Sequence, residues 1–324
     1  MAELRTCVLA ACAVSILFAT ACKTTGTAPD APSHRHLRAA MTPHAQLEVC
    51  WIEFGRYAAW SPLGSAGMTQ ADKWNVTFSG VLIRHPEGEV LLDSGYSSRA
   101  LEEIESLPLL ARTWVGTSFK KLEVFTPADK ALATAGVDAT RLKWFIPSHA
   151  HNDHVGGLVD LPPQAILLPQ EEKAFIEAPN AQEFHIPPAH SAVMKGRMTA
   201  MNFAAQHYEI FDESFDLFGD GSVVIIRMGG HTPGSIATFI NVSADRRIVH
   251  VGDLVSTVES IERQVPKSRF VQFFTDHDPQ ETARQVGRLA HLRQERPELL
   301  FLPAHDRAAW ERAFGGASRC IRAR

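Results

Sequence analysis

The feature that most constrains this chain is a cluster of metal-binding side chains in the stretch SHAHNDHVGG, residues 148–157. His149, His151, Asp153 and His154 occupy four of six consecutive positions after the apolar run LKWFIP. Neutral imidazole and carboxylate groups are common ligands of zinc and similar divalent ions. The alternative interpretation is a polar loop or a capped helix start. Because four ligands in six positions do not easily reach one ion, the cluster predicts two neighbouring metal ions.

Three further candidate ligands follow apolar, strand-like runs later in the chain. His231 in GGHTPGS comes after VVIIRM, Asp253 ends IVHVGD, and His305 ends ELLFLPAH. His149 and His151 also follow such a run, and their spacing of two places both side chains on one face if the strand continues through them. The repeated order of strand and then ligand predicts that one edge of a sheet sandwich collects all of these side chains.

Strand-like and helical patterns alternate along the chain without a linker after residue 44. The run at 47–54 reads as a strand, 75–86 and 88–95 read as a hairpin, and 278–297 reads as a long amphipathic helix. The segment 179–207, with its Pro, His and Met content, is predicted to be an irregular insertion that forms a lid. This organisation predicts one α/β domain with two sheets and outer helices.

The N-terminus has the pattern of an export signal. Residues 7–21 are almost wholly apolar, too short to span a bilayer comfortably, and are followed by Cys22. This pattern predicts a signal peptide at 1–21, typical of a bacterial lipoprotein with Cys22 as the lipidated residue, a tether at 22–43 and a folded domain at 44–324. Cleavage that leaves a soluble periplasmic or secreted protein, and an uncleaved anchor, are the alternatives. The expected location is the periplasm or the outer membrane, with membrane contact only through the lipid at Cys22.

Charge and cysteine content restrict the partners further. The net charge is −4 and the pI is about 6.4, with no Lys/Arg stripe, so nucleic acid is not an expected partner. Cys50 and Cys320 remain near the two ends of the folded domain. In an oxidising compartment they either pair or stay as two thiols, and the sequence leaves both open.

The ordered set of motifs resembles the metallo-β-lactamase superfamily. These motifs are H-x-H-x-D-H, GHTPGS, an aspartate after VG, and a late histidine, and the resemblance runs from about residue 47 to 315. It implies a four-layer αβ/βα sandwich with the metal ions at one edge.

The resemblance also implies how the ligands divide between two divalent ions, with zinc as the expected metal. The first ion takes His149, His151 and His231, and the second takes Asp153, His154 and His305. Asp253 bridges the two ions together with a water or hydroxide. Asp93 in VLLDSG matches an aspartate that supports the metal-binding histidines, with an ordinary turn aspartate as the alternative.

The chemistry implied by this site is hydrolysis of a small molecule. Paired metal ions generate hydroxide near neutral pH and polarise the attacked oxygen. Asp153 is the expected catalytic side chain, which orients the nucleophile and transfers its proton.

Among members of the superfamily, the chain looks most like N-acyl-homoserine lactonases and exported methyl parathion hydrolases. Asp253 stands where one subclass of true β-lactamases has cysteine. Ser256, however, stands where many lactonases have a catalytic tyrosine, and Tyr208 would replace it only if the fold brings it in. A lactone or related ester is the expected substrate. Phosphotriester or β-lactam hydrolysis, a redox iron enzyme, and a non-catalytic surface lipoprotein that retains the metals are the alternatives.

Aromatic and histidine residues outside the ligand set suggest where a substrate lies. Phe270, Phe273 and Phe274 are predicted to line an apolar site, with core packing as the alternative. Three histidines of the 179–207 segment are candidates for substrate contact or simple exposure. They are His185, His190 and His207.

Overall fold

The structure, a computed structural model, describes residues 47–60, 73–317 and 319–322. The predicted signal peptide (1–21) and tether (22–43) lie outside these residues. The described part of the domain contains two β-sheets with helices on their outer faces.

The first sheet has the strand order β13-β1-β2-β3-β5-β6-β7. The short strand β4 pairs with Gly55 and Arg56 of β1. Its antiparallel half is β13, β1, β2 and β3, whereas β3, β5, β6 and β7 run parallel. Its strands are β1 (Glu48–Trp60), β2 (Lys73–His85), β3 (Gly88–Leu92), β4 (Val124–Phe125), β5 (Leu142–Ile146), β6 (Ala165–Leu168), β7 (Met198–Ala200) and β13 (Cys320–Arg322).

The second sheet has the strand order β12-β11-β10-β9-β8. Only β11 and β12 are parallel neighbours, so β9, β11 and β12 all run in the same direction. Its strands are β8 (Phe215–Asp216), β9 (Val223–Arg227), β10 (Ile236–Ser243), β11 (Arg246–Gly252) and β12 (Leu300–Pro303).

Helices connect these strands and cover the sheets. The α-helices are α1 (Ala100–Glu105), α2 (Leu109–Lys120), α3 (Ala128–Thr134), α4 (Asn152–Val155), α5 (Gln170–Ile176), α6 (Pro188–Met194), α7 (Val258–Arg263), α8 (Arg269–Thr275), α9 (Pro279–Glu295) and α10 (Arg307–Phe314). The longest, α9, begins at Asp278, whose carboxylate accepts hydrogen bonds from the amides of Gln280 and Glu281. Within the described residues, no helix is long and apolar enough to cross a bilayer.

Four apolar clusters hold the sheets and helices together, and three of them form the layers of the sandwich. Trp51 and Val81 of the first sheet pack with Ile225 and Ile240 of the second, so the central core lies between the sheets. Along β1, the intervening Cys50, Ile52 and Phe54 point to the other face and pack against helices. On the outside of the second sheet, Phe239 and Val249 pack with Leu289 and other residues of α9. The order helix, sheet, sheet, helix confirms the predicted αβ/βα sandwich.

The 179–207 segment is more regular than predicted. It contains α6 and β7, and β7 extends the first sheet beside β6. Its Met194 and Met198 are buried in the core outside the first sheet. The prediction of a wholly irregular insertion is therefore wrong, because these methionines belong to packed elements.

A disulfide joins Cys50 of β1 to Cys320 of β13 across 270 residues of sequence. The two cysteines face each other in the antiparallel pairing of these strands. The structure thus selects the paired state, which the sequence left open.

Candidate metal centre

The candidate ligands come from segments that follow four strands. His149, His151, Asp153 and His154 follow β5, the first two in the turn and the others on the short helix α4. The remaining candidates, His231, Asp253 and His305, follow β9, β11 and β12. Since these three strands share one direction, their ends meet at one edge of the second sheet. The backbone amide of Ile236 donates to the Ser148 carbonyl at 3.0 Å, which joins this edge to the loop after β5.

One group consists of three buried imidazoles. The Nε2 atom of His149 lies 3.1 Å from Nδ1 of His151 and 3.1 Å from Nε2 of His231. The strand β5 ends at Ile146, so His149 and His151 converge from a turn rather than from one strand face as predicted. The trio nevertheless matches the set predicted for the first metal ion.

The other group consists of Asp153, His154 and His305. The Nε2 atom of His305 lies 3.4 Å from a carboxylate oxygen of Asp153, and Nε2 of His154 lies 3.8 Å from the same oxygen. This trio matches the set predicted for the second ion.

Asp253 lies between the two groups. Its Oδ2 is 3.1 Å from Nε2 of His305 and 3.7 Å from Nε2 of His231, and its Oδ1 is 3.5 Å from Nε2 of His154. A Cβ on the preceding Gly252, at φ 53°, would lie 2.9 Å from the Ser148 side chain. Glycine there lets the end of β11 approach the His149 loop closely, which brings Asp253 within reach of both groups.

The donor set fits a pair of divalent ions. Nε2 of His154 and Oδ1 of Asp253 are buried without a hydrogen-bond partner among the described residues. Buried polar atoms are normally satisfied, so an orphaned nitrogen and an orphaned carboxylate oxygen that face the same space indicate a bound cation. Imidazole and carboxylate are also the ligand chemistry of zinc-like ions. Which ion each side chain holds stays a prediction.

The pKa values of the two groups differ in direction. Burial lowers the pKa of His149 and of His151 well below the ordinary value, and neighbouring imidazoles act in the same direction. Burial, with Lys267 nearby, also lowers the pKa of His231. These rings are therefore neutral at physiological pH, and neutral imidazole is the form that binds metal.

The group around Asp253 attracts positive charge. Burial favours neutral rings, but nearby aspartates outweigh it and raise the pKa of His154 well above its usual value and that of His305 to about 10. Burial would raise the pKa of Asp253, but His305 and His154 hold it well below its ordinary value. A site that stabilises positive charge in this way suits a divalent cation.

Asp93 supports the second group, as the resemblance implied. It is fully buried at φ 58°, and its carboxylate accepts hydrogen bonds from Nδ1 of His154 at 2.9 Å and from the amide and hydroxyl of Ser148. A carboxylate on the far nitrogen of a ligating histidine fixes the ring orientation and the tautomer. An ordinary turn aspartate would not be buried among these partners.

Glu172 at the start of α5 was not predicted to take part in the site. Its buried carboxylate accepts hydrogen bonds from the Ala150 amide at 2.6 Å, the Thr232 hydroxyl at 2.8 Å and the Gly234 amide at 2.8 Å. Ala150 separates the two histidines of the first loop, and Thr232 follows His231. Glu172 therefore ties together the two loops that carry the three-imidazole group.

Asp276 and Lys267 form a second unpredicted support. Oδ1 of Asp276 lies 2.8 Å from Nδ1 of His231, and Nζ of Lys267 lies 2.5 Å from the same oxygen. On the other group, the Nδ1 atom of His305 donates a hydrogen bond to the Thr77 carbonyl at 2.8 Å. No regular spacing connects Asp276, Lys267 or Thr77 to the candidate ligands in the sequence, so only the fold reveals these supports.

A pocket opens directly on the candidate ligands. Its lining includes His151, Asp153, Asp253 and His305. Its walls are largely aromatic and come from β1, β2, α2 and the loop after β3. The aromatic lining residues are Tyr57, Trp74, Phe78, Tyr96 and Trp114.

The predicted phenylalanine lining is wrong. Phe270 and Phe273 are exposed, and neither they nor Phe274 line the pocket. Residues of the same helix, Val271 and Thr275, face the pocket instead. The run RFVQFF forms α8, and the helical period turns the phenylalanines to its outer side.

The histidines of the 179–207 segment occupy three different environments. His185 is buried, lines the pocket, and has its ring centroid 5.3 Å from that of His151. His190 is buried with its Nε2 atom 2.9 Å from a carboxylate oxygen of Glu103, whereas the side chain of His207 is exposed. Only His185 is placed to touch a substrate.

Tyrosine positions differ from the lactonase pattern. Ser256 lines the pocket, but Tyr208 accepts a hydrogen bond from Asn241 at the far end of β10 and is not part of the lining. Two other phenols, Tyr57 and Tyr96, face the pocket instead. Burial raises the pKa of Tyr96 well above its ordinary value, with contributions from Asp153 and Asp253, so this hydroxyl is protonated and can donate a hydrogen bond.

The sequence profile of the metallo-beta-lactamase superfamily matches residues 79–305. The chain belongs to the metallo-β-lactamase superfamily. All seven candidate ligands fall inside the matched span, which therefore contains the complete site.

Several proteins of similar sequence are lactonases. The chain is 21% identical over 240 residues to the N-acyl homoserine lactonase AttM of Azorhizobium caulinodans. This alignment covers 71% of this chain and 81% of that protein. The chain is also 22% identical over 244 residues to the N-acyl homoserine lactonase AiiA of Bacillus thuringiensis subsp. kurstaki. This alignment covers 75% of this chain and 86% of that protein.

Solved structures support the same fold. An N-acyl homoserine lactone hydrolase with N-hexanoyl-L-homoserine at its catalytic metal centre aligns with a TM-score of 0.59, at 19% identity, over 83% of this chain and 96% of that one. AidC, a dizinc quorum-quenching lactonase, aligns with a TM-score of 0.56, at 17% identity, over 80% and 87% of the two chains. This superfamily member is thus a metallo-hydrolase related to lactonases.

Proposed function

We propose that the protein hydrolyses a lactone or a related carboxylic ester at a site that holds two divalent ions, with zinc as the metal. One observation carries this proposal: seven candidate ligand side chains form two groups with Asp253 between them, and four of the seven, His151, Asp153, Asp253 and His305, line a pocket with aromatic walls. The names of the similar proteins add support, because AttM and AiiA are N-acyl homoserine lactonases.

The candidate ligands and the pocket walls each have a defined role in such a reaction. His149, His151 and His231 would hold one ion, Asp153, His154 and His305 would hold the other, and Asp253 would serve both groups. Two divalent ions at this place lower the pKa of a water molecule and polarise a carbonyl oxygen. The aromatic walls bind the apolar part of the substrate and exclude bulk water.

Asp153 is the proposed proton carrier. Burial would raise its pKa, but His154 and His305 lower it, so the carboxylate is ionised at neutral pH. It accepts a proton from the attacking water as the water oxygen bonds to the carbonyl carbon. The ring C–O bond then breaks, and the same carboxyl returns the proton to the leaving oxygen, giving a hydroxy acid. The Tyr96 hydroxyl is placed to donate a hydrogen bond to a substrate oxygen.

We also propose that the protein is exported and anchored as a bacterial lipoprotein through Cys22. The apolar stretch at 7–21 followed by Cys22 supports this proposal, and the disulfide is of the kind that persists in oxidising compartments. Metabolic labelling with a fatty acid should label the parent chain, and Cys22→Ser should abolish the label. Equal labelling of both chains would contradict this anchor.

A hydrolysis panel with the purified, zinc-loaded protein tests the activity. The panel contains an N-acyl homoserine lactone, an aryl ester, a phosphotriester, a cephalosporin and a glutathione thioester. The expected result is the highest kcat/KM for the lactone. A higher value for the phosphotriester or the cephalosporin would retain the metal site and reject the proposed substrate, whereas no turnover by a fully metal-loaded protein would reject the catalytic role.

A further inference from the structure

An exposed apolar patch lies beside the pocket. Four of its members are among the most exposed large apolar side chains of the described residues: Leu109 (66%), Leu110 (64%), Phe270 (56%) and Phe273 (74%). They lie on α2 and α8. We call this surface the aromatic patch, and define it as Leu109, Leu110, Trp114, Phe270, Phe273 and Phe274.

Ring contacts make the aromatic patch continuous. Trp114 stacks on Phe274 with ring centroids 5.0 Å apart and meets Phe270 edge-on at 5.7 Å. Phe273 contacts Phe274 at 5.1 Å. Leu110 precedes Trp114 by one helical turn and so lies beside it on the surface of α2. The two helices therefore share one apolar face, which is uncommon on a monomer unless something covers it.

The aromatic patch continues the pocket wall outward. Trp114 belongs to both, because it also lines the pocket. The same two helices contribute Val115 and Val271 to the lining. Whatever covers the patch consequently sits at the mouth of the pocket.

The charge around the patch identifies its partner. The segments 109–121 and 269–275 contain Arg112, Lys120, Lys121 and Arg269 but no Asp or Glu. Arg112 is paired with Glu105 of α1 at 3.2 Å, so the positive excess comes from Lys120, Lys121 and Arg269. The whole chain has more acidic than basic residues, 36 against 32, so these helices are locally basic. Exposed Leu and Phe bordered by Lys and Arg are typical of helices that lie in the interface of an anionic bilayer.

A second copy of the chain fits this surface less well. A two-fold contact would place the same patch on both subunits. Lys120, Lys121 and Arg269 of one copy would then face those of the other, and α2 and α8 carry no acidic side chain to compensate, since the nearby Glu105 of α1 already pairs with Arg112. Anionic phospholipid supplies the opposite charge and an apolar layer together.

We propose that the aromatic patch docks on an anionic phospholipid bilayer, so that the pocket opens at the membrane surface. The predicted lipid attachment at Cys22 is compatible with this placement. Apolar compounds dissolved in the bilayer thereby gain direct access to the aromatic walls.

Vesicle flotation tests the docking. The exported full chain carrying Cys22→Ser is mixed with vesicles of phosphatidylcholine alone or of phosphatidylcholine with phosphatidylglycerol. We expect binding to the anionic vesicles to be at least about tenfold stronger, and to weaken as salt is added. Adding Phe273→Ser and Leu110→Ser should reduce binding about tenfold or more. Leu101→Ser is the matched control, since Leu101 is also exposed (56%) but lies on α1.

The outcomes are distinguishable from a failure of the proposed function, because flotation requires no turnover. Equal metal content and melting temperature in all variants show that each has folded. Absence of binding to anionic vesicles, or equal binding by parent and patch variants, would overturn the proposal. So would a parent that is dimeric in sedimentation equilibrium, does not bind vesicles, and becomes monomeric with Phe273→Ser and Leu110→Ser.

Discussion

At the scale of single residues, Glu172 connects the loops of the candidate metal centre although it is not among the candidate ligands. Its carboxylate accepts hydrogen bonds from Ala150, Thr232 and Gly234, which belong to the two loops that carry His149, His151 and His231. Glu172→Gln replaces one of the two acceptor oxygens by an NH2 group, which cannot accept a hydrogen bond. We expect metal affinity to fall about 10–100-fold and stability to fall by about 1–3 kcal/mol.

Chelator competition and denaturant unfolding measure these two effects. Glu171→Gln is the control, because Glu171 is the exposed neighbour, 3.5 Å from Arg227, and should change stability by less than about 0.5 kcal/mol. Metal affinity at the parent level in Glu172→Gln would show that the loops hold their positions without this carboxylate.

His185 is the second residue whose role is open to a direct test. Its ring lines the pocket, and burial lowers its pKa to about 4, so it is neutral at physiological pH and can donate or accept a hydrogen bond. His185→Ala should raise KM roughly threefold to tenfold while metal content stays unchanged. His185→Asn should recover part of the loss, because asparagine tolerates the positive φ of 63° and keeps polar atoms.

The pH dependence of the His185 effect follows from the direction of its shift. An exposed histidine would gain a proton near pH 6.5, whereas the buried ring gains one only near pH 4. The ratio of KM between His185→Ala and the parent should therefore be constant from about pH 5.5 to 8.5. Initial rates with a neutral lactone across this range measure it, and a ratio that changes near pH 6.5 would place His185 in solvent.

At the scale of elements, the clustering of the candidate ligands was predictable because each group follows a strand. The apolar runs before His149, His231, Asp253 and His305 became β5, β9, β11 and β12. The supporting residues were not predictable, since Glu172 and Asp276 reach the site only through tertiary packing. The helix α8 was also missed because its phenylalanines resemble a core run, although its Ser268 cap, which accepts a hydrogen bond from the Val271 amide, was readable as a helix start.

The division of ligands between elements predicts the metal content of variants. His151→Ala removes a ligand only from the three-imidazole group, and His305→Ala only from the group of Asp153 and His154. Each should lower the bound metal by about one ion per chain, whereas Asp253→Ala should affect both sites. Inductively coupled plasma mass spectrometry measures the stoichiometry.

A surface histidine supplies the control for this experiment. His291 is exposed on α9, so His291→Ala should keep the parent metal content. Unchanged metal in His151→Ala would overturn the assignment of the first site, and unchanged metal in His305→Ala that of the second.

At the scale of the whole molecule, the sequence predicted the layered architecture but not how its ends are joined. Repeated strands and helices indicated one α/β domain, and the structure confirms two sheets between helical layers. The sequence could not decide whether Cys50 and Cys320 pair, because this depends on the distance between two strands 270 residues apart in sequence. The short strand β13 brings them together beside β1.

Removal of this disulfide should destabilise the domain without disturbing the metal centre. The bond closes almost the entire described chain, so Cys50→Ser with Cys320→Ser should lower the free energy of unfolding by about 2–5 kcal/mol. Cys50 lies seven residues along β1 from the pocket residue Tyr57, about 23 Å at about 3.3 Å per residue. Metal content should therefore match that of the parent.

Denaturant unfolding with and without reductant measures the effect: the parent should lose stability on reduction, and the double variant should not respond. A parent that is indifferent to reductant would show that the bond does not stabilise the fold, and loss of metal from the double variant would show that the ends of the domain help to hold the site.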